Sequence, residues 1–139
     1  MNIKQSRFVY LAKNSFFVFD ADKEDGFINI RRQTSAEFEK CTAIAKLRKH
    51  FYKTSNPFFY KFCLKMIKSE TEVVIGHENG FIRIWRIPEN EKEEIEKIVE
   101  WQAGIIQITA IDAHEGKVVS GDNKANLLLK QVYNIFLFY

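Results

Sequence analysis

The side chains able to do chemistry are few and scattered. His50, His77 and His114 are the only histidines, and Cys41 and Cys63 the only cysteines. His77-Glu78 and His114-Glu115 each lack a second histidine four residues on, so neither forms the paired-histidine helix motif that holds zinc for hydrolysis. Both fall in predicted turns, where an exposed imidazole is ordinary. A cysteine nucleophile needs a base placed beside it, and no spacing pairs either thiol with His50. Both cysteines sit in apolar stretches and read as small buried thiols. The stretch Asp20–Ile28 (DADKEDGFI) is acidic in the manner of a calcium loop. Counted from Asp20, however, Asp25 stands where such a loop needs glycine, and Arg31 where it needs a bidentate glutamate. It reads as a solvated acidic turn. No nucleophile elbow, phosphate-binding loop or dinucleotide fingerprint occurs. The expectation is a non-enzymatic protein with no metal and no cofactor.

One basic and aromatic run could meet a polyanion. In Lys46–Lys61 (KLRKHFYKTSNPFFYK), Arg48, Lys49 and Lys53 offer phosphate contacts, and Phe51 and Tyr52 offer rings on which bases stack. This supports an alternative reading, a small α+β nucleic-acid-binding domain. A formal charge of +3 over 139 residues disfavours it, and the aromatics then belong to a core whose wet edge is lysine. The chain is 46% hydrophobic and 28% charged, enough for one folded domain. Its first residues lack a small-residue cleavage site, no run approaches membrane-spanning length, and two cysteines make no disulfide framework. A reduced, cytoplasmic setting is the expectation.

The elements that position these residues show themselves through a repeat. Val73–Ile87 (VVIGHENGFIRIWRI) aligns with Val118–Val132 (VVSGDNKANLLLKQV) at an offset of 45, with Gly76 on Gly121. At the same offset Phe62–Ile67 (FCLKMI) falls on Gln107–Asp112 (QITAID). Each unit reads as strand, turn, strand, glycine-containing turn, strand. Phe8–Asp20 is a third, weaker copy about 65 residues upstream of the second, so about 20 extra residues lie between them. Phe38, Cys41, Ala45 and Arg48 have helical spacing there, which predicts a helix or long loop as the insertion. In Phe81–Ile87 both alternating faces are largely apolar, as in a strand covered on both sides. Glu91–Trp101 allows a helix or an outer strand, and the polar, short character of the segment favours the strand.

These residues resemble the WD40 repeat family of β-propellers. Val74-Ile75-Gly76-His77-Glu78-Asn79-Gly80-Phe81-Ile82-Arg83-Ile84-Trp85 is similar to the second and third strands of such a repeat. Asn79 stands where the family has its turn aspartate and Arg86 where it often has the aspartate after tryptophan. In the last copy Lys124 and Lys130 replace the aspartate and tryptophan. The resemblance implies an all-β fold, a partial propeller of about three blades in a single domain, 1–139. Its parts are a blade remnant over 1–34, an insertion over 35–57, the best-preserved repeat over 58–101 and a degenerate repeat over 102–139. The family's hydrogen-bond network is lost, so the blades lean on apolar packing, with Trp85, Ile82, Ile84 and Leu127–Leu129 between blades.

The resemblance also implies a scaffold that binds other proteins through loops, with Glu78 and Asn123 as its partner-facing residues. Propellers use about four to eight blades. Three blades leave a face bare, so the chain is expected to self-associate, to complete a partner's propeller, or to belong to a longer product. The apolar tail, 132–139, is read either as a fourth strand or as translated non-coding sequence. A nucleic-acid partner is disfavoured and no membrane partner is expected.

Overall fold

The computed structural model describes residues 6–21, 28–34, 38–47, 52–56, 61–67, 72–90 and 92–132, which form antiparallel sheets and no helix. The first sheet contains β1 (Ser6–Leu11), β2 (Phe16–Ala21) and β3 (Ile28–Gln33). It is completed by β5 (Tyr52–Asn56) and β6 (Lys61–Ile67), in the order β3-β2-β1-β6-β5. The second contains β4 (Cys41–Lys46), β7 (Glu72–His77), β8 (Phe81–Arg86) and β9 (Glu96–Gln102), in that order. The third contains β10 (Ile108–His114), β11 (Lys117–Asp122) and β12 (Leu127–Gln131). The expected all-β class is met, and none of the three sheets closes on itself.

The repeat is present at the level of register. Val73 pairs with Trp85, Val74 with Ile84, Ile75 with Arg83 and Gly76 with Ile82. At an offset of 45, Val118 pairs with Lys130, Val119 with Leu129, Ser120 with Leu128 and Gly121 with Leu127. The inner strands match as well, although the partner strand differs from the expected one. β4 runs along β7 with a bulge between Cys41 and Ala43, and β10 along β11 with a bulge between Ile108 and Ala110. At each bulge a threonine hydroxyl donates to the facing glycine carbonyl, Thr42 to Gly76 at 3.3 Å and Thr109 to Gly121 at 3.3 Å. The second sheet's inner strand is therefore β4, and Phe62–Ile67 belongs to the first sheet.

This relocates the insertion. Residues 41–46 were expected within a helix or loop, and they form a strand buried at every position. A central strand covered on both faces is apolar at nearly every position, so its pattern matches helical spacing by accident. Thr42 precedes Thr109 by 67 residues while Gly76 precedes Gly121 by 45, so 22 extra residues lie between β4 and β7. They carry the β5–β6 hairpin, which pairs with β1 through β6. The segment over 91–101 ends in the outer strand β9, as favoured.

The second sheet is sandwiched. On one side Val73, Ile75, Trp85, Ile87 and Ile44 meet Val9, Leu11, Phe16, Val18, Leu64 and Met66 of the first sheet. On the other Val74, Ile82, Ile84, Ala43 and Ala45 meet Ile108, Ile111, Ala113 and Val118 of the third. Turns fix the hairpins between. Gly80 has φ of 87°, and a side chain there would strike the Gly104 carbonyl. Its own carbonyl accepts hydrogen bonds from the amides of Ala103 and Gly104. Glu115 and Gly116, with φ of 48° and 77°, make the two-residue turn between β10 and β11.

Candidate functional site

The residues singled out for chemistry are mostly dispersed by the fold. His114 is exposed at the end of β10, where its Nε2 lies 3.5 Å from Glu115 Oε1. His77 was expected in an exposed turn and is instead buried at the end of β7 with 1% exposure. The strand runs one residue further than the turn signal implies, and Phe38 covers the ring. His77 Nδ1 donates to the Glu39 carbonyl at 2.8 Å, which spends its proton on the backbone. Burial lowers the His77 pKa from its ordinary 6.5. Cys41 Sγ is 4.0 Å from that same nitrogen and 3.7 Å from the Ser15 carbonyl, to which the thiol donates. Burial pushes the thiol up to about 12, so it stays protonated and unreactive. Arg83 closes the cluster with ion pairs to Glu39 at 3.1 Å and Glu100 at 2.8 Å. This is a packed structural cluster. Among the described residues no three His, Cys, Asp or Glu side chains converge to hold a metal.

The acidic turn over 22–27 lies outside the described residues, as do 48–51 and 133–139. Arg48, Lys49 and Phe51 of the basic run are therefore not placed, while Tyr52 and Lys53 lie on β5, at the edge of the first sheet. Glu78 and Asn123 are exposed at equivalent positions in the β7–β8 and β11–β12 turns. The second of these turns is organised by Asp122, which sequence reading passed over. Its carboxylate accepts from the amides of Lys124 and Asn126, both at 2.9 Å, and from the Asn126 side chain at 3.0 Å.

Ile82 and Ile84 pack between sheets as expected, but Leu127–Leu129 do not. Val74, Ile82 and Ile84 are each at 0% exposure, covered by the third sheet. Their counterparts Val119, Leu127 and Leu129 are 41%, 77% and 62% exposed. β12 presents the same face as β8, and no described residue is stacked upon it. Alternation along the third sheet places Ala110, Asp112 and His114 on this outer face, beside Val119, Gly121, Leu127 and Leu129. The face is apolar at Ala110, Val119, Leu127 and Leu129, with Asp112 beside Val119 and the polar row His114, Lys117 and Gln131 at one end. An open hollow of about 210 Å³ lies among Asp112, His114, Lys117, Val119 and Leu129.

The glycine in this face is informative. A Cβ on Gly76 would stand 2.7 Å from Ile108 Cγ2 and 2.8 Å from Ile111 Cδ1, so its absence makes the socket that admits the third sheet. A Cβ on Gly121 would meet only Leu127 Cδ2 at 3.4 Å. Gly121 keeps the socket without a described occupant. Exposed apolar patches framed by polar groups are the usual mark of a docking surface. No helix among the described residues is long and apolar enough to cross a membrane. No protein-family model, curated protein or solved structure matches the chain at significance.

Proposed function

We propose that this chain is a non-catalytic protein-interaction module of the WD40-like, partial β-propeller kind, acting in the cytoplasm. Its three sheets are read as three blades, and its main docking surface is the outer face of the third. The observation that carries this reading is the register-matched contrast between Val74, Ile82 and Ile84, fully covered, and Val119, Leu127 and Leu129, left open. A face that the chain itself covers with another sheet at one level is offered uncovered at the next. Covering those three side chains as fully as their counterparts contributes less than the roughly 1.5–3 kcal/mol of a full burial each, in proportion to the area still open, and together a sizeable part of what a specific association needs. Asp112 and His114 at its rim supply polarity that discriminates among partners. Glu78 and Asn123 extend the contact surface onto the turns at one end of the stack.

The reading is tested with a photoreactive residue at position 129 and a control at the exposed Lys92. The expected outcome is crosslinking from 129, mapped by mass spectrometry to one alternating apolar strand segment, with little from 92. Equal, scattered crosslinking from both positions overturns the reading.

A further inference from the structure

The seam between the second and third sheets shows how a sheet enters a glycine-socketed face. The entering strand is β10. Its Ile108 and Ile111 fill the Gly76 socket, and Ala113 lines the same seam. The amides of Ala103 and Gly104 bond the Gly80 carbonyl, so β10 sets out from the end of the stack where Cys41 pairs with His77. β10 therefore runs in the same direction as β4, which begins at Cys41. Its isoleucines lie by Ala43 and Gly76, and Ala113, further along, lies toward Ala45.

The receiving face recurs on the third sheet with one change of character. β4 and β10 correspond at an offset of 67, each bulged and each pairing with its central strand in the same register. Ala43 answers to Ala110, Gly76 to Gly121 and Val74 to Val119, but Ala45 answers to Asp112. Ala45 is fully buried in its seam, and Asp112 is exposed. The Asp112 carboxylate accepts from the Ala113 amide at 2.9 Å and has no ion pair among the described residues. A sheet stacked here as the third is stacked on the second brings its counterpart of Ala113 onto that carboxylate. An apolar side chain at this point would bury the charge without a partner, which is costly. A lysine or arginine would pair it.

The fold already accepts a lysine at this register position. Lys46 is the counterpart of Ala113 in the second sheet, pairing with Val73 as Ala113 pairs with Val118. It is 1% exposed, and alternation places it on the side of Ile44, toward the first sheet. An entering strand with an aliphatic residue two places before a buried base thus occurs once within this chain.

We infer, resting on the docking-face reading above, that the third sheet is covered by a β-sheet of another protein whose entering strand has the pattern aliphatic-x-x-aliphatic-x-Lys/Arg. The two aliphatic side chains fill the Gly121 socket, and the basic one pairs with Asp112. Apolar area gives the contact its strength. The single charge selects among sheets that would otherwise pack equally well.

A synthetic hairpin with the β10–β11 sequence, residues 107–122, closed by a disulfide between added terminal cysteines, is the probe. Two labelled versions, Ala113→Lys and Ala113→Glu, are titrated against the full chain by fluorescence anisotropy. The Ala113→Lys hairpin should bind about three- to fivefold more tightly, the span of a partly exposed ion pair. Against the Asp112→Lys chain the order should reverse. Leu129→Arg in the chain should weaken both hairpins by about tenfold or more, because it sets a charge into the apolar contact. Both chain variants alter exposed positions, and Leu127→Ser replaces Leu129→Arg should the latter lose its cooperative melt. Equal binding of the two hairpins, or an order unchanged by Asp112→Lys, overturns the inference; loss of both to Leu129→Arg then leaves the docking-face reading standing. Binding indifferent to Leu129→Arg overturns both. Absence of saturable binding overturns the inference, and crosslinking from 129 still decides the docking-face reading.

Discussion

The two seams of the stack are built differently. Between the first and second sheets the packing is aromatic and keyed by charge. Trp85 lies edge-on to Phe16 at 5.5 Å and to Phe38 at 5.4 Å. Arg7, fully buried, pairs with Asp20 at 2.7 Å and donates to the Ile87 and Pro88 carbonyls at 3.0 and 3.1 Å. Arg32 adds a contact to Asp20 at 3.4 Å and to the Pro88 carbonyl at 2.9 Å. Between the second and third sheets the filling is Ala, Val and Ile set into a glycine socket. The first seam fits one partner only, because a buried arginine without its acceptors is costly. The second is generic, and its receiving face recurs on the outside of the third sheet. Specific and reusable seams thus lie on opposite faces of the same four strands.

The contrast breaks first where the most packing is at stake. Trp85→Ala should destabilise the chain by about 3–5 kcal/mol in denaturant titration, since it empties an aromatic site at 6% exposure. Ile84→Ala in the other seam should fall within about 2–5 kcal/mol and below Trp85→Ala. The reverse order would mean that the generic seam is the stronger.

Asp20→Ala examines the charge key. Removing one partner leaves the Arg7 guanidinium buried and half-satisfied, for a loss of about 3–5 kcal/mol. The double variant Arg7→Met with Asp20→Leu removes the Arg7 pair and should recover part of that loss, since Arg32 also gives up its contact to Asp20. If it is as unstable as the single variant, the backbone bonds from Arg7 to Ile87 and Pro88 matter more than the pair.

Gly76→Ala moves the comparison to the second seam. Its Cβ would press on Ile108 and Ile111, and an overpacked core loses about 1–3 kcal/mol. A neutral result would mean that the third sheet slides to accommodate a methyl group, and that the socket is soft.

His77 gives a smaller effect with a definite sign. Burial holds its folded pKa below 6.5, and the nearby Arg83 charge acts in the same direction. Bonding to the Glu39 carbonyl and the Glu39 and Glu100 carboxylates oppose the shift without reversing it. Between the lowered value and 6.5 the unfolded chain binds a proton that the folded chain does not. Stability is therefore complete above 6.5 and falls as the pH drops through that window, by at most about 1.4 kcal/mol per pH unit. His77→Gln should flatten melting temperature between pH 7 and 5. An unchanged slope in that range would mean that His77 does not set it, since the carboxylates of Glu39 and Glu100, both held below their ordinary 4.5, give up their contribution mainly as the pH falls below 4.5.

The offset of 45 was legible because Val73-Val74 and Gly76 recur as Val118-Val119 and Gly121, and the structure pairs those strands in identical register. The burial of Trp85 and the outer strand β9 were legible too, from two-sided apolarity and from polar shortness. The inner strand was not. Its true sequence echo is Thr42-Ala43-Ile44 against Thr109-Ala110-Ile111, which stands 67 residues apart because a hairpin destined for the neighbouring sheet interrupts the unit. A search at constant period cannot see it. The Arg7–Asp20 key was hidden for another reason, since opposed charges in facing strands look like ordinary wet residues until the strands are stacked. Leu127–Leu129 misled in the other direction. Their composition is that of a core, and whether a core forms there depends on a sheet that these strands do not supply.

The smallest effect on stability carries the sharpest comparison. Gly121→Ala adds the same methyl group as Gly76→Ala at the equivalent register position, but its nearest neighbour is an exposed leucine side chain at 3.4 Å. In the single chain it should change unfolding free energy by no more than about 0.5 kcal/mol, as surface substitutions do. The same methyl fills the socket on which a covering sheet would sit, so association through this face should weaken even though the fold does not. Measuring both variants by denaturant titration and by binding of the Ala113→Lys hairpin separates the two roles. A destabilisation by Gly121→Ala equal to that by Gly76→Ala would mean that the outer face is already filled within the chain. A variant neutral in both assays would mean that Gly121 is retained for the strand pairing alone, with the Thr109 hydroxyl and its carbonyl as the reason.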